Sequence, residues 1–287
     1  MTSRTYAYYP GCTLHSTAKE YDVSARLVSE GLGIELRELK DWTCCGASSA
    51  HSMSDLLSIA LPARELQAAQ EMGLPLVVAC AMCFSRLKFA IHELNDQKTL
   101  GLVSDIIGGE LRNAVEVVHL LQVLDGEREA IPLRRPLTGL KVACYYGCLL
   151  VRPRDIVDFD DEDNPQIMDR LIEALGAQSI DWGFKTECCG ASLTLTRKDI
   201  VLTLSHRILY QAKQLGADCL AVACPMCHSN LDTRQREIEA KYKDGVGLPI
   251  LYFTQLVGLA MGLSPKQLHL NKHFTDPLAM LREKGLA

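Results

Sequence analysis

The sequence predicts an α/β fold built twice: two homologous domains, each a small parallel sheet flanked by helices, related by a pseudo-two-fold duplication. Three observations carry that expectation. Four cysteines of the first half recur 144 residues later with their flanks intact. Strand-like runs alternate with amphipathic stretches in the same order in both halves, as right-handed crossovers between parallel strands require. The strands that deliver cysteines do so at their carboxyl ends, where open α/β sheets place their sites.

In chain order, RTYAYYP (4–10) and LKVACYYG (140–147) are β-branched and aromatic runs that end in a Gly-Cys turn. Helices are expected at 17–31, with Tyr21, Ala25 and Val28 on one face, and at 164–175, with Ile167, Leu171 and Leu175. Gly33 and Gly176 stand where left-handed caps would end them. IELREL (34–39) and AQSIDW (177–182) form second strands leading to a Cys-Cys-Gly triplet. Longer helices are expected at 53–71 and 195–214, strands at 74–80 and 218–224, helices at 84–97 and 228–242. A short strand and helix close each half near 115–124 and 249–263. The polar, Pro-containing segment 125–139 serves as linker, giving domains 1–130 and 131–287.

Composition narrows the function. The 287 residues are 48% hydrophobic and 23% charged, ordinary for a globular protein. A net charge of −5 argues against nucleic acid as a partner. No apolar run reaches the ~18 residues of a membrane span, and the amino terminus lacks a signal-peptide pattern, so a cytoplasmic location is expected. No GxGxxG fingerprint is present, so neither NAD nor flavin is expected on this chain.

Twelve cysteines in such a chain point to metal or redox chemistry rather than disulfides. Cys44, Cys45, Cys80 and Cys83 return as Cys188, Cys189, Cys224 and Cys227; CCGAS recurs at 44–48 and 188–192, VACAMC at 78–83 as VACPMC at 222–227. Gly11-Cys12 aligns with Gly147-Cys148 at an offset of 136, the difference lying mostly in the acidic insert FDDEDNP (159–165). Each half therefore carries five cysteines. Four would suffice for tetrahedral zinc, and a vicinal pair is awkward at one ion, so an iron–sulfur cluster per half is favoured over a structural zinc module.

YYPGCTLHSTAKEYD (8–22), DWTCCGASSAHS (41–52), the two CCG motifs and LNKHF (270–274) closely resemble the catalytic B subunit of heterodisulfide reductase, a CCG-domain family, over nearly the whole chain. That resemblance implies two noncubane [4Fe-4S] clusters, one held by Cys12, Cys44, Cys45, Cys80 and Cys83, the other by Cys148, Cys188, Cys189, Cys224 and Cys227, with the disulfide between them. It also implies two partners from the same complex, an iron–sulfur protein (its C component) and a flavin-containing one (its A component) that can bifurcate electrons. The reference substrate it implies is the CoM-S-S-CoB heterodisulfide of methanogenesis. The stoichiometry is coherent: disulfide reduction takes two electrons, and iron–sulfur centres pass one each. The alternative keeps the clusters but makes the chain an electron-transfer subunit of a succinate-, fumarate- or glycolate-type oxidoreductase.

The remaining residues have plainer readings beside functional ones. His15, His51 and His206 are candidate proton donors to departing thiolates, although lone histidines are more often structural. Cys144 and Cys219, outside the repeat, are read as core filling. Met82 and Met226 either shield a cluster or fill gaps. Trp42 is assigned to packing, and the acidic run 158–163, Arg134 and Arg135 to solvated surface.

Overall fold

The computed structural model describes residues 4–47, 49–112 and 114–287. The first repeat runs β1 (Arg4–Tyr9), α1 (Gly11–His15), α2 (Lys19–Gly31), β2 (Ile34–Glu38), α3 (Ala50–Met53), α4 (Asp55–Met72), β3 (Leu76–Val78), α5 (Ala81–Glu93), α6 (Gln97–Ile107), β4 (Val117–His119) and α7 (Leu120–Gly126). The second runs β5 (Lys141–Tyr145), α8 (Cys148–Val151), α9 (Arg154–Val157), α10 (Ile167–Ala174), β6 (Gln178–Ser179), α11 (Lys198–Gln214), β7 (Cys219–Val222), α12 (Pro225–Thr233), α13 (Gln235–Tyr242), β8 (Ile250–Tyr252) and α14 (Phe253–Ala260). A final helix, α15 (Leu278–Glu283), follows.

Each repeat holds a four-stranded, all-parallel sheet, ordered β2-β1-β3-β4 and β6-β5-β7-β8. Register is matched: Ala7 pairs with Leu76 and Leu76 with Val117, while Val142 pairs with Cys219 and Leu220 with Ile250. Strands β3, β5, β7 and β8 are almost wholly buried, as parallel strands covered on both faces must be. Because all strands run one way, the segments after β1, β2 and β3 emerge at a single edge. The three cysteine-bearing segments of each repeat meet there.

Several elements depart from expectation, each for a local reason. The strand expected at 177–182 shrinks to Gln178–Ser179, because the Trp182 indole donates to the Cys144 carbonyl at 3.0 Å and occupies the acceptor a longer ladder would use. The helix expected at 53–71 is split at Ser54, whose extended backbone and hydroxyl cap α4 through the Leu57 amide. That expected at 84–97 begins earlier, at Ala81, and a separate α6 starts where Asp96 caps the Thr99 amide at 2.9 Å. In the second repeat, Arg234 separates α12 from α13.

The acidic insert is more than solvated surface. The Asp160 carboxylate accepts from the amides of Gln166 and Ile167 and caps α10, while Phe159 is buried edge-on to Phe84 of the other repeat. Arg135 likewise binds the Ala260 and Leu286 carbonyls, through its backbone amide and its guanidinium respectively.

The two sheets share one continuous hydrophobic core. Helices cross between repeats in pseudo-symmetric pairs: α14 packs on α2 and α7 on α10, while α5 packs on α8 and α1 on α12. Tyr21 stacks on Tyr252 at 4.0 Å, and the buried Ser24 and Thr254 hydroxyls lie 2.7 Å apart.

Candidate functional site: two cysteine quintets across one interface

Each quintet is assembled by the same devices. Gly11 and Gly147 adopt φ of +74° and +72°, and a Cβ there would come within 3.0 and 3.1 Å of the Cys83 and Cys227 sulfurs. Glycine is thus required both by the turn and by the sulfur beneath it. It sets Cys12 in α1 and Cys148 at the start of α8. The Tyr9 and Tyr145 hydroxyls donate to the carbonyls of Thr43 and Glu187, at 2.7 and 2.6 Å, and so tie each first strand to the residue before the vicinal pair. Beyond that pair, the Gly46 and Gly190 amides point at the Cys44 and Cys188 sulfurs, at 3.5 and 3.3 Å. Cys80 and Cys224 occupy the N-cap positions of α5 and α12, so Cys83 and Cys227 fall in the first turns.

All ten repeat cysteines are thereby gathered into two groups. In the first, Cys12 and Cys44 sulfurs lie 3.8 Å apart and Cys45 and Cys83 3.3 Å apart. In the second, Cys189 and Cys227 lie 3.6 Å apart, and Cys148 contacts Cys188. The groups meet where Cys80 faces Cys224 within hydrogen-bond reach across the interface. All twelve cysteines are free thiols. Each group has a buried trio and a pair nearer solvent: Cys12 and Cys44 are exposed, as is Cys188, with Cys148 half-buried.

Crowding splits the thiols electrostatically. Hydrogen bonds from neighbouring thiols hold Cys45 and Cys224 well below the usual thiol range and pull Cys188 down to about 6. Their partners Cys44, Cys80, Cys83, Cys148 and Cys227 are pushed up, first by hydrogen bonding to those neighbours and then by burial. Five thiolates cannot be held this close without a compensating positive centre. The donor set, soft sulfur at 3.3–3.8 Å with amides aimed at it, fits an iron–sulfur group. Cys144 and Cys219 instead lie on β5 and β7, fully buried, where burial pushes both thiols up; they fill core, as expected.

Residues at the junction escaped sequence reasoning. The Tyr21 hydroxyl donates to the Ala79 carbonyl at 2.6 Å and lies 3.5 Å from that of Ala223, the residues preceding Cys80 and Cys224. His119 accepts from the Leu121 amide through Nδ1 at 3.1 Å, so its buried Nε2 carries the proton. Among the described residues that Nε2 has no partner of good geometry, and it faces the same two carbonyls. Burial lowers its pKa to about 4. Tyr252, its counterpart in the second sheet, also has a buried hydroxyl with no hydrogen-bond partner among the described residues. Tyr21 stands inside the 8–22 stretch, but nothing local marks a residue as lying on a pseudo-symmetry axis.

A cavity of about 230 Å³ opens between the repeats. The first contributes Ala47 of its CCG loop with His51, Met82 and Arg86; the second contributes Ser192 of its CCG loop with Leu149 and Pro153. Of the three histidines singled out in the sequence, His51 lines this cavity. His15 sits 3.2 Å from Glu38 and edge-on to Trp42, and His206 is held by Asp244 at 2.5 Å and stacked on Tyr242. Trp42 packs against Tyr9 and donates to Glu38.

His228, Asp232 and His273 form a second buried group of potential ligands. Their hydrogen bonds are already committed. Gln255 accepts the Tyr252 amide through Oε1, so its Nε2 donates to Leu268 and to His273 Nε2, at 2.9 Å. His273 must then carry its proton on Nδ1 and give it to His228, 2.8 Å away, while Asp232 caps the Phe274 and Thr275 amides. The group fastens the segment carrying LNKHF to α12 and leaves no lone-pair set for a metal.

Comparison with known proteins agrees with this geometry. The family profile described as the CCG cysteine-rich domain matches twice, over residues 6–88 and 142–232. The 8-methylmenaquinol:fumarate reductase membrane anchor subunit of Wolinella succinogenes is 33% identical over 277 residues, covering 95% of this chain and 98% of its own. The B subunit of the ferredoxin:CoB-CoM heterodisulfide reductase of Methanosarcina mazei is 29% identical over 281 residues, covering 94% of each. Among solved structures, a hypothetical protein from Helicobacter pylori superposes with a TM-score of 0.80 over 96% of this chain, which spans 53% of that one; at 18% identity it speaks to the fold alone. Among the described residues no helix is long and apolar enough to cross a membrane. With the profile matched in both repeats and relatives aligned end to end, the chain belongs to the cysteine-rich CCG-domain family, in which heterodisulfide reductase B subunits are among its relatives.

Proposed function

We propose that this chain is the disulfide-reducing component of an iron–sulfur oxidoreductase complex, working at the cavity between its two CCG loops. The observation that supports this most directly is that one cavity draws residues from both CCG loops while the two quintets meet through Cys80 and Cys224. Cys12, Cys44, Cys45, Cys80 and Cys83 would hold one noncubane [4Fe-4S] cluster, and Cys148, Cys188, Cys189, Cys224 and Cys227 the other. Clusters so bound supply one-electron transfers, two of which reduce one disulfide. The chain's own residues do the rest. Ala47, Leu149 and Pro153 give the cavity an apolar wall, which Met82 of the first CxxC motif extends. The net reaction takes a disulfide, two electrons and two protons to two thiols. The electrons would come from an iron–sulfur partner of the C type, itself served by a flavin-containing partner of the A type, and His51, which lines the cavity, would hand on a proton.

A second reading is favoured by the Wolinella relative: the same quintets relaying electrons between a quinol and a fumarate-reducing partner. Anaerobically purified, iron-loaded protein separates the two. Disulfide reduction by a viologen-type donor, with a paramagnetic signal arising only when disulfide is added, is expected under the first reading. Quinol oxidation with no response to any disulfide would overturn it in favour of the second.

A further inference from the structure

The two sheets differ at their outer edges. Strand β2 closes one side of the first sheet and pairs with β1 alone. At five residues, IELRE, it is the longest of the edge strands; β4 and β8 have three and β6 has two. A bare strand edge is a template for pairing with another chain, and folds ordinarily shorten, bend or cover it. The second repeat does so, with Trp182 holding β6 to Gln178–Ser179. The first repeat leaves the counterpart at full length.

Backbone parity shows which groups face outward. The amide of Leu39, the residue after β2, donates to the Tyr8 carbonyl at 3.0 Å. Alternate residues of a parallel strand bond the same neighbour, so Glu35 and Arg37 turn their N–H and C=O groups to β1. Those of Ile34, Leu36 and Glu38 point away from the sheet. Among the described residues no hydrogen bond from another element reaches them. Beside them lies a hollow of about 450 Å³, bounded by the strand at Ile34 and Leu36 and by α2 at Arg26 and Glu30. Ile34 is buried and Leu36 half-buried on this side. Glu35 and Arg37 are exposed on the opposite face, where the guanidinium donates to the carboxylate at 2.8 and 3.0 Å.

The order of these side chains selects an occupant for the edge. Let a second IELRE lie antiparallel, with Leu36 opposite Leu36. Each Glu35 then stands opposite an Arg37 on the exposed face. The same register makes Leu36–Leu36, Ile34–Glu38 and Glu38–Ile34 the pairs that exchange N–H···O bonds, and these are the residues whose backbone faces outward. The neighbouring registers of correct parity set Glu35 against Glu35 or Arg37 against Arg37, and like charges directly opposite repel. One register alone satisfies both the backbone and the charges.

We propose that β2 is a homodimerisation edge, through which two copies of this chain pair antiparallel about a two-fold axis at Leu36 and join their first sheets into one. The interface is isologous, as a closed dimer requires. The Leu36 side chains meet in the hollow beside α2, and each Glu35–Arg37 pair gains its counterpart across the axis. The inference is independent of the chemistry assigned to the cysteines and stands or falls without it.

Sedimentation velocity of the full, iron-loaded chain under anaerobic conditions tests it. Wild type is expected to dimerise reversibly with a Kd on the order of 10 µM, the scale of a small strand-paired interface. Glu35→Arg and Arg37→Glu each set like charges opposite one another and should raise that Kd about tenfold. Both side chains are exposed, so neither reversal disturbs the core. Mixed in equal amounts, the two variants recover wild-type association, because every facing pair is again opposite in charge. Wild type that stays monomeric to about 200 µM overturns the proposal without any variant. A dimer indifferent to both reversals overturns it too, as does a mixture that associates no better than its components.

Discussion

The two repeats carry the same five-sulfur frame on the same four-stranded sheet and differ in the loops and side chains set around it. In both, a left-handed glycine passes beneath a CxxC sulfur, a tyrosine anchors the residue before the vicinal pair, and an amide meets the first sulfur of that pair. Outside that frame the first repeat has an ordered helix with His51 after its CCG and presents Arg86. The second has a brief 3-10 turn, an inward Asn230, a truncated edge strand and a buried Lys185–Asp169 ion pair at 3.1 Å. What was held constant is the proposed ligand set. What diverged is the lining of the cavity and the fastening of the loops.

The comparison breaks most visibly at the sulfurs. Cys45→Ser and Cys189→Ser are each expected to remove one quintet's iron and spare the other's, halving a content of about eight irons per chain. Iron analysis with electron paramagnetic resonance checks this, and full iron in either variant would refute the ligand sets proposed here.

A difference in acid sensitivity comes next. His119 and Tyr252 occupy matching places, but only His119 titrates in the acid range. Its folded pKa, held near 4 by burial, lies below the ordinary value of 6.5, so the unfolded chain binds the proton more readily between those limits. The stability due to its neutral form is fully present above about pH 6.5 and is lost as pH falls toward 4, by on the order of 3 kcal/mol. Denaturant melts from pH 7 to 4 should show a shallower decline in His119→Asn, which can still cap α7.

Glycine replacement should act alike in the two halves. Gly11→Ala and Gly147→Ala each combine a left-handed backbone with a methyl group against a sulfur, at a cost of about 2 kcal/mol. Unequal losses in thermal melts would show that the two frames are not equivalent. The smallest effects separate Asn230 from Arg86. Asn230→Ala strands the Cys189 carbonyl, while the Thr194 hydroxyl keeps the Ala191 carbonyl, and should cost about 1–2 kcal/mol; Arg86→Ala should cost below about 1 kcal/mol.

What could be read directly from the chain was whatever repeats or alternates. The recurring cysteine spacing exposed the duplication and both quintets, the alternation of strand-like and helical runs exposed the parallel sheets, and Gly33 and Gly176 cap their helices as expected, with φ of +70° and +85°. Events decided by one side chain reaching across space were not legible. Trp182 ending a strand through the Cys144 carbonyl, Phe159 turning an acidic loop inward, and Tyr21 bridging the carbonyls before Cys80 and Cys224 all depend on neighbours distant in sequence. The confrontation of Cys80 with Cys224 belongs to the same class. Each lies in a motif, yet only docking of the repeats brings them together.

The exchange of helices between repeats has a consequence for how such a protein can be divided or inherited. With α14 lying on α2 and α7 on α10, neither half finishes its own flank. Severed at the linker, each fragment would present a bare apolar strip shaped for the other, so the fragments should be productive when expressed as a pair and prone to aggregate alone. By the same geometry, a polypeptide with a single such motif would need a second copy to cover the same strip, an arrangement that a tandem chain makes permanent while leaving its two sides free to differ.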